Sequence, residues 1–144
     1  MLVSTILKSK SDHGVVTLPP DTPLAHVVET LCTRRIGAVV ISDTGMTLLG
    51  ILSERDVVRE LGRHGAACMT EPAASIMTVK VVTCTLDDRA DEVLQRMTDG
   101  RFRHLPVMDG ASMVGLISIG DVVKARLGEL AMENDALEGM IKGF

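Results

Sequence analysis

The sequence predicts an α+β protein: two tandem β-α-β-β-α repeats about a pseudo-twofold axis, with an extra C-terminal helix. Three observations predict it. The chain repeats itself: Val15-Val16-Thr17 recurs as Val81-Val82-Thr83, and the same offset of 66 residues carries Asp21 onto Asp87, Val27 onto Val93, Val39 onto Leu105 and Asp43 onto Asp109. After a one-residue deletion near Gly45, the run Gly50-Ile51-Leu52-Ser53-Glu54-Arg55-Asp56-Val57-Val58 falls onto Gly115-Leu116-Ile117-Ser118-Ile119-Gly120-Asp121-Val122-Val123. Two copies are too few for a solenoid, while 144 residues at 46% hydrophobic content suffice for one compact domain or two small halves sharing a core.

In chain order, Val15–Leu18 reads as a short strand ended by Pro19-Pro20. Asp21 or Thr22 is placed to cap the next helix, with Pro23 in its first turn. Leu24, Val27, Val28 and Leu31 then follow the stripe of an amphipathic helix. The apolar run Gly37–Ser42 suits a buried strand, Asp43-Thr44-Gly45 a turn, and Leu48–Leu52 the returning strand. Ser53 caps a helix running to about Leu61 and ended by Gly62. Gly65 to Pro72 reads as linker. The second copy gives a strand at Val81–Cys84, a helix from about Asp88 to Thr98, strands His104–Met108 and Met113–Ile117 joined by Asp109-Gly110, and a helix opening at Ser118. The divisions are therefore repeat 1 over 1–64, linker over 65–74, repeat 2 over 75–127 and a helical tail over 128–144.

In that tail, Leu127, Asn134 and Ile141 fall at heptad position a, with Leu130 and Leu137 at d. A lone Asn at a can set the register of a coiled coil. The same spacing also suits a helix laid on its own domain or on a dimer mate without supercoiling.

Composition narrows the function. Aromatics are 1%, so the core must be built from Val, Ile, Leu, Ala and Met. Net charge −4 argues against a general nucleic-acid binder. No apolar run approaches the roughly 20 residues of a membrane span, and the N-terminus lacks the pattern of a signal peptide, so a cytoplasmic location is expected. Cys32, Cys68 and Cys84 show no CxxC spacing and read as small apolar fillers. The four histidines show no metal-ligand spacing, and the chain lacks both a Walker A sequence and GxGxxG. Asp87-Asp88 sits at a helix start, where carboxylates favour the dipole.

The duplicated Gly-φ-φ-Ser-x-x-Asp (φ apolar) carries the chemistry. A strand that ends in Ser and opens a helix offers backbone N–H groups and a hydroxyl to an anion. The Asp one turn later, Asp56 or Asp121, can accept two hydrogen bonds from a vicinal diol such as that of ribose. The same residues also make a capping box, a common helix start. Their recurrence in both copies at one strand–helix junction points to binding.

On these residues the chain resembles a cystathionine-β-synthase-type (CBS) domain pair, or Bateman module, of the stand-alone bacterial type. The matching segments are Ile36-Gly37-Ala38-Val39-Val40-Ile41 with Gly50–Val58, and Arg103-His104-Leu105-Pro106-Val107 with Gly115–Val123; Ser75-Ile76-Met77-Thr78 looks like the family's opening motif. The resemblance implies a non-catalytic, regulatory module whose clefts bind adenosine-containing ligands such as AMP, ADP, ATP, NAD(H) or S-adenosylmethionine, with no catalytic cofactor. It also implies a disc-shaped homodimer and, for output, either that dimer or an unknown protein effector.

Carried onto matching positions, the main cleft would use Val16, Ile36, Gly37 and Ala38 around the base and Leu116 as an apolar wall. Asp121 would hold the ribose, with Ser118, Arg103 and His104 facing phosphate. The second cleft would use Met77, Val82, Phe102 and Arg103, with Ile51 as wall, Asp56 for ribose, and Ser53 with Arg55 for phosphate. The first cleft is expected to be the stronger anion site, because charge-assisted bonds to phosphate are about twice as strong as neutral ones. The other class of function left open is a structural or interaction module with vestigial clefts.

Overall fold

Neither strand–helix junction stands alone: each is finished by a segment from the other repeat, and the fold is best followed from there. The structure, a computed structural model, describes residues 1–10 and 14–141. The elements are α1 (Val3–Ser9), β1 (Thr17–Leu18), α2 (Leu24–Arg34), β2 (Ala38–Ile41), β3 (Gly50–Ser53), α3 (Glu54–His64), a 3-10 helix (Gly65–Thr70), α4 (Ala73–Ile76), β4 (Cys84–Thr85), α5 (Ala90–Gly100), β5 (His104–Asp109), β6 (Ser112–Ser118) and α6 (Ile119–Ile141). Among the described residues, six α-helices and two three-stranded sheets, ordered β1-β2-β3 and β4-β5-β6, fulfil the expected α+β architecture.

The chain forms two compact units. One comprises residues 14–82 and 109–114. Here β1 runs parallel to β2 (Thr17 opposite Val40) and β3 antiparallel to it (Val40 opposite Ile51). All four residues of β2 are buried, as a central strand covered on both faces requires. Leu24, Val27 and Leu31 of α2, Val57 of α3, Leu52 of β3, Cys68 and Ala73 complete this core.

The other unit comprises residues 1–10, 83–108 and 115–141. β4 runs parallel to β5, with Cys84 opposite Val107. Val93 and Met97 of α5, Leu105, Val107, Ile117, and Val122 and Ala125 of α6 are buried together with Val3 and Ile6 of α1. Helix α1, placed by sequence in the first repeat, thus packs with the second.

A matching exchange occurs in the first unit. The Ala90 N–H at the start of α5 donates to the Met1 carbonyl at 2.9 Å, just as the Leu24 N–H at the start of α2 donates to the Glu71 carbonyl at 2.9 Å. The segment leading into each repeat therefore satisfies an orphan N–H at the helix start of the opposite one. That arrangement corrects one expectation. Neither Asp21 nor Thr22 caps α2; Pro23 is the N-cap, with no side-chain bond, because the Glu71 carbonyl does the work. In the stretch read as linker, Gly65–Thr70 coil into the 3-10 helix, which buries Cys68, and Glu71 presents that carbonyl.

Other boundaries shift for local reasons. The ladder of β1 holds only Thr17 and Leu18, since Pro19 and Pro20 have no N–H to continue it. Helix α3 passes through Gly62 to His64 and stops at Gly65, whose φ of 67° leaves the helical region. Helix α5 starts two residues late, at Ala90, because Asp88 turns back to accept the Thr85 N–H at 2.8 Å. The Arg96 guanidinium, 2.8 Å from Asp88, holds that carboxyl below its ordinary value. The filler reading holds for Cys68 and Cys84 but not for Cys32, which is exposed on α2. Burial pushes the Cys84 thiol up to about 12, which leaves it unreactive near neutrality.

Helices α2 and α5 both end on an arginine in the left-handed region, Arg35 at φ 53° and Arg101 at φ 56°. This conformation costs a non-glycine residue about 1–2 kcal/mol, and glycine is the usual occupant. Arg101→Gly should therefore raise stability by roughly 0.5–1 kcal/mol, after the entropy glycine loses on folding. A urea melt measures it, and a loss of stability would mean that the Arg101 side chain outweighs its backbone strain.

Candidate functional site

Each repeat builds the same junction. In the first, Ser53 ends β3 and caps α3: its hydroxyl accepts the Asp56 N–H at 3.3 Å while the Ser53 N–H donates to Asp56 Oδ2 at 2.9 Å. In the second, the Asp121 N–H donates to Ser118 Oγ at 3.2 Å and the Ser118 N–H to Asp121 Oδ2 at 2.9 Å. Both Ser-x-x-Asp motifs are therefore capping boxes, as the simpler reading had it, and any ligand role is added to that one.

The helix starts are less open than their sequence suggests. The first helical N–H of α3, on Glu54, donates to the Gly37 carbonyl at 3.0 Å, and that of α6, on Ile119, donates to the Arg103 carbonyl at 2.8 Å. With the Asp N–H taken by Ser, two N–H groups at each mouth are already used. The same bonds place Gly37 beside Ser53 and Asp56, and Arg103 beside Ser118 and Asp121.

The two carboxylates differ in what remains free. Asp56 uses both oxygens: Oδ2 accepts the Ser53 N–H and hydroxyl, and Oδ1 lies 3.3 Å from Arg59 Nη1. Asp121 concentrates its bonds on Oδ2, which takes the Ser118 N–H and Lys10 Nζ at 2.8 Å; among the described residues, Oδ1 carries no hydrogen bond. Burial opposes charge on Asp121, but the Lys10 ammonium and the Ser118 N–H outweigh it and hold the carboxyl below its ordinary value. Asp121 is thus an ionised acceptor with one oxygen to spare.

The remaining expected residues fall in two groups. Arg103, His104, Leu116, Ser118 and Asp121 lie in one unit with Phe102. Arg103 is exposed, whereas His104, Leu116 and Phe102 are half-buried. Val16, Ile36, Gly37, Ala38, Ile51, Ser53, Arg55, Asp56, Met77 and Val82 lie in the other. There Ala38 is buried, Val16, Ile36, Gly37, Ile51 and Met77 are half-buried, and Arg55 and Val82 are exposed. The Val16 carbonyl accepts the Val40 N–H at 3.1 Å, and Ile51 exchanges two backbone hydrogen bonds with Thr78 beside Met77.

Sequence reasoning missed two cations. Arg59, one turn beyond Asp56, was available from the spacing. Lys10 was not, because its bonds to Asp121 and to the Leu116 carbonyl (2.9 Å) join it to residues more than 100 positions away. Among the described residues, no cluster of His, Cys, Asp and Glu is arranged to hold a metal, and no helix is long and apolar enough to cross a membrane.

Two three-stranded sheets, each leading into a helix through the same capping box, define a class, and comparison with known proteins agrees. The family model of the CBS domain matches residues 5–63 and 73–128. The chain belongs to the CBS domain family. The CBS domain-containing protein CBSX3, mitochondrial, of Arabidopsis thaliana is 32% identical over 148 residues, which cover 98% of this chain and 72% of that protein. The crystal structure of the CBS-domain containing protein ATU1752 from Agrobacterium tumefaciens is 40% identical with a TM-score of 0.83, covering 88% of this chain and 99% of that one. The CBS domain protein PAE2072 from Pyrobaculum aerophilum, solved in complex with AMP, is 26% identical with a TM-score of 0.78, covering 92% and 99%.

Proposed function

We propose that this chain is a non-catalytic sensor of adenosine nucleotides. The observation that carries the reading is Asp121, kept ionised at a strand–helix mouth with Oδ1 unengaged among the described residues, as suits a diol-accepting carboxylate. The AMP complex of a relative with this fold supports an adenosine ligand. In this reading the main site is centred on Asp121. The ribose binds Asp121, and phosphate binds Ser118, Arg103 and His104. The second cleft, centred on Asp56, is the weaker, because both of its carboxylate oxygens must first be released.

The reading extends to a homodimer and a cytoplasmic location. Leu127, Leu130, Leu137 and Ile141 stand 50–85% exposed along α6, an apolar stripe suited to a second copy or an effector. Three free cysteines fit a reducing compartment.

The test is a thermal-shift series with AMP, ADP, ATP, NAD, NADH and S-adenosylmethionine on wild type and Asp121→Ala. A ligand at 100 times its Kd adds about 2.7 kcal/mol, or roughly 5–10 °C in a chain of this size. The wild type should show that rise with at least one ligand. Asp121→Ala, with a lower baseline from its lost capping bond, should show none. Equal ligand-induced shifts in both proteins would remove Asp121 from the site. No shift with any ligand would favour the interaction-module reading and the stripe on α6.

A further inference from the structure

Beyond Asp121, a cavity of about 590 Å3 opens between α1 and α6, lined among others by Ser9, Lys10, Asp121, Lys124, Ala125 and Gly128. This volume is within the range that holds small ligands. Its width comes from composition: Ala125 and Gly128 are small residues on the α6 side of the cavity.

The charge of the cavity is positive. Lys10 neutralises Asp121, and among the described residues Lys124, one turn further along α6, makes no ion pair or hydrogen bond, so its charge is unmatched. Lys10 also has donor capacity in hand. An ammonium carries three N–H groups; among the described residues one goes to Asp121 at 2.8 Å, one to the Leu116 carbonyl at 2.9 Å, and the third to none. That carbonyl lies two residues before Ser118, so the ammonium lies close to the mouth where the first phosphate is placed.

We propose that this cavity is a subsite for phosphoryl groups beyond the first, held by Lys10 and Lys124, so that the chain prefers adenosine polyphosphates to the monophosphate. The proposal rests on the nucleotide-sensing reading for the adenosine end of the ligand. A monophosphate ends at Ser118, whereas the longer chain of ATP reaches two further cationic groups. Charge-assisted bonds of this kind are the strong ones, and they weaken with salt at so exposed a site.

The experiment is titration calorimetry of the full chain with AMP, ATP and inorganic tripolyphosphate, on wild type and Lys124→Met. The wild type should bind ATP about tenfold more tightly than AMP. Lys124→Met should bring ATP close to the AMP value and leave AMP unchanged. Equal affinities for AMP and ATP in the wild type, or an ATP preference that survives Lys124→Met, would overturn the subsite. If neither nucleotide binds, the sensing reading fails separately. Tripolyphosphate binding abolished by Lys124→Met would then keep the cavity as an anion site in its own right, and its absence would overturn that too.

Discussion

Gly50→Ala should destabilise the protein by about 2 kcal/mol, whereas Gly115→Ala should cost about 1 kcal/mol or less. Both glycines open the Gly-φ-φ-Ser-x-x-Asp motif, and both are crossed by the segment leading into the opposite repeat. A Cβ on Gly50 would stand 2.5 Å from Met77 Sδ and 2.9 Å from the Thr78 carbonyl oxygen. The methionine can swing away. The carbonyl cannot, because it accepts the Ile51 N–H at 3.0 Å while the Thr78 N–H donates back to the Ile51 carbonyl at 2.9 Å. Relief requires breaking that bridge. A Cβ on Gly115 would meet only the Leu7 methyl groups, at 2.9 Å, the far end of a side chain that can change rotamer. Urea melts of the two variants make the comparison, and equal costs would mean that the backbone bridge at Thr78 is softer than described.

The second large effect depends on pH. Lys10→Met should cost about 1–2 kcal/mol at pH 7, between the worth of an exposed ion pair and the cost of breaking a buried one. The folded-state carboxyl of Asp121 lies below its usual 3.8, so it contributes stability above that value, and the contribution is lost as pH falls through the lowered folded value. Without Lys10, burial acts against only the Ser118 N–H, and the carboxyl moves back up. The gap between variant and wild type should then be full at pH 7 and smaller at pH 3, below the usual 3.8, as the carboxyl of the variant takes up its proton first. A gap of the same size at both pH values would assign the role of Lys10 to the packing of its aliphatic stem.

These two predictions mark where sequence reasoning reached and where it stopped. The repeat, the strand–helix order, the central burial of Val39 and Leu105 and the pairing of Ser with Asp all follow from local periodicity or from internal comparison, and they were legible. Helix α1 was not. Its apolar positions Val3 and Ile6 are buried in the core of the second repeat, in one cluster with Val93 and Val122. Residues 65–72 read as linker because Gly65, Ala66 and Ala67 carry no stripe; what orders them is a buried Cys68 and a carbonyl offered to α2. Lys10 was invisible for the same reason: a bond closed between residues so far apart in the chain leaves no spacing to read. At the two junctions, the pairing of Ser53 with Asp56 and of Ser118 with Asp121 was legible because it is local, and the cations that pair with each carboxylate were not.

The exchanged leading segments also bear on how such a chain could have arisen. A polypeptide holding a single copy would have an uncovered glycine on its last strand and an orphan N–H at its first helix, both of which only another molecule's leading segment could cover. Joining two copies end to end replaces that intermolecular loan with a tethered one, at an effective concentration near millimolar for a short connection. For the same reason, cleavage at residue 65 would not release two halves but two mismatched pieces, each holding the segment that the other needs.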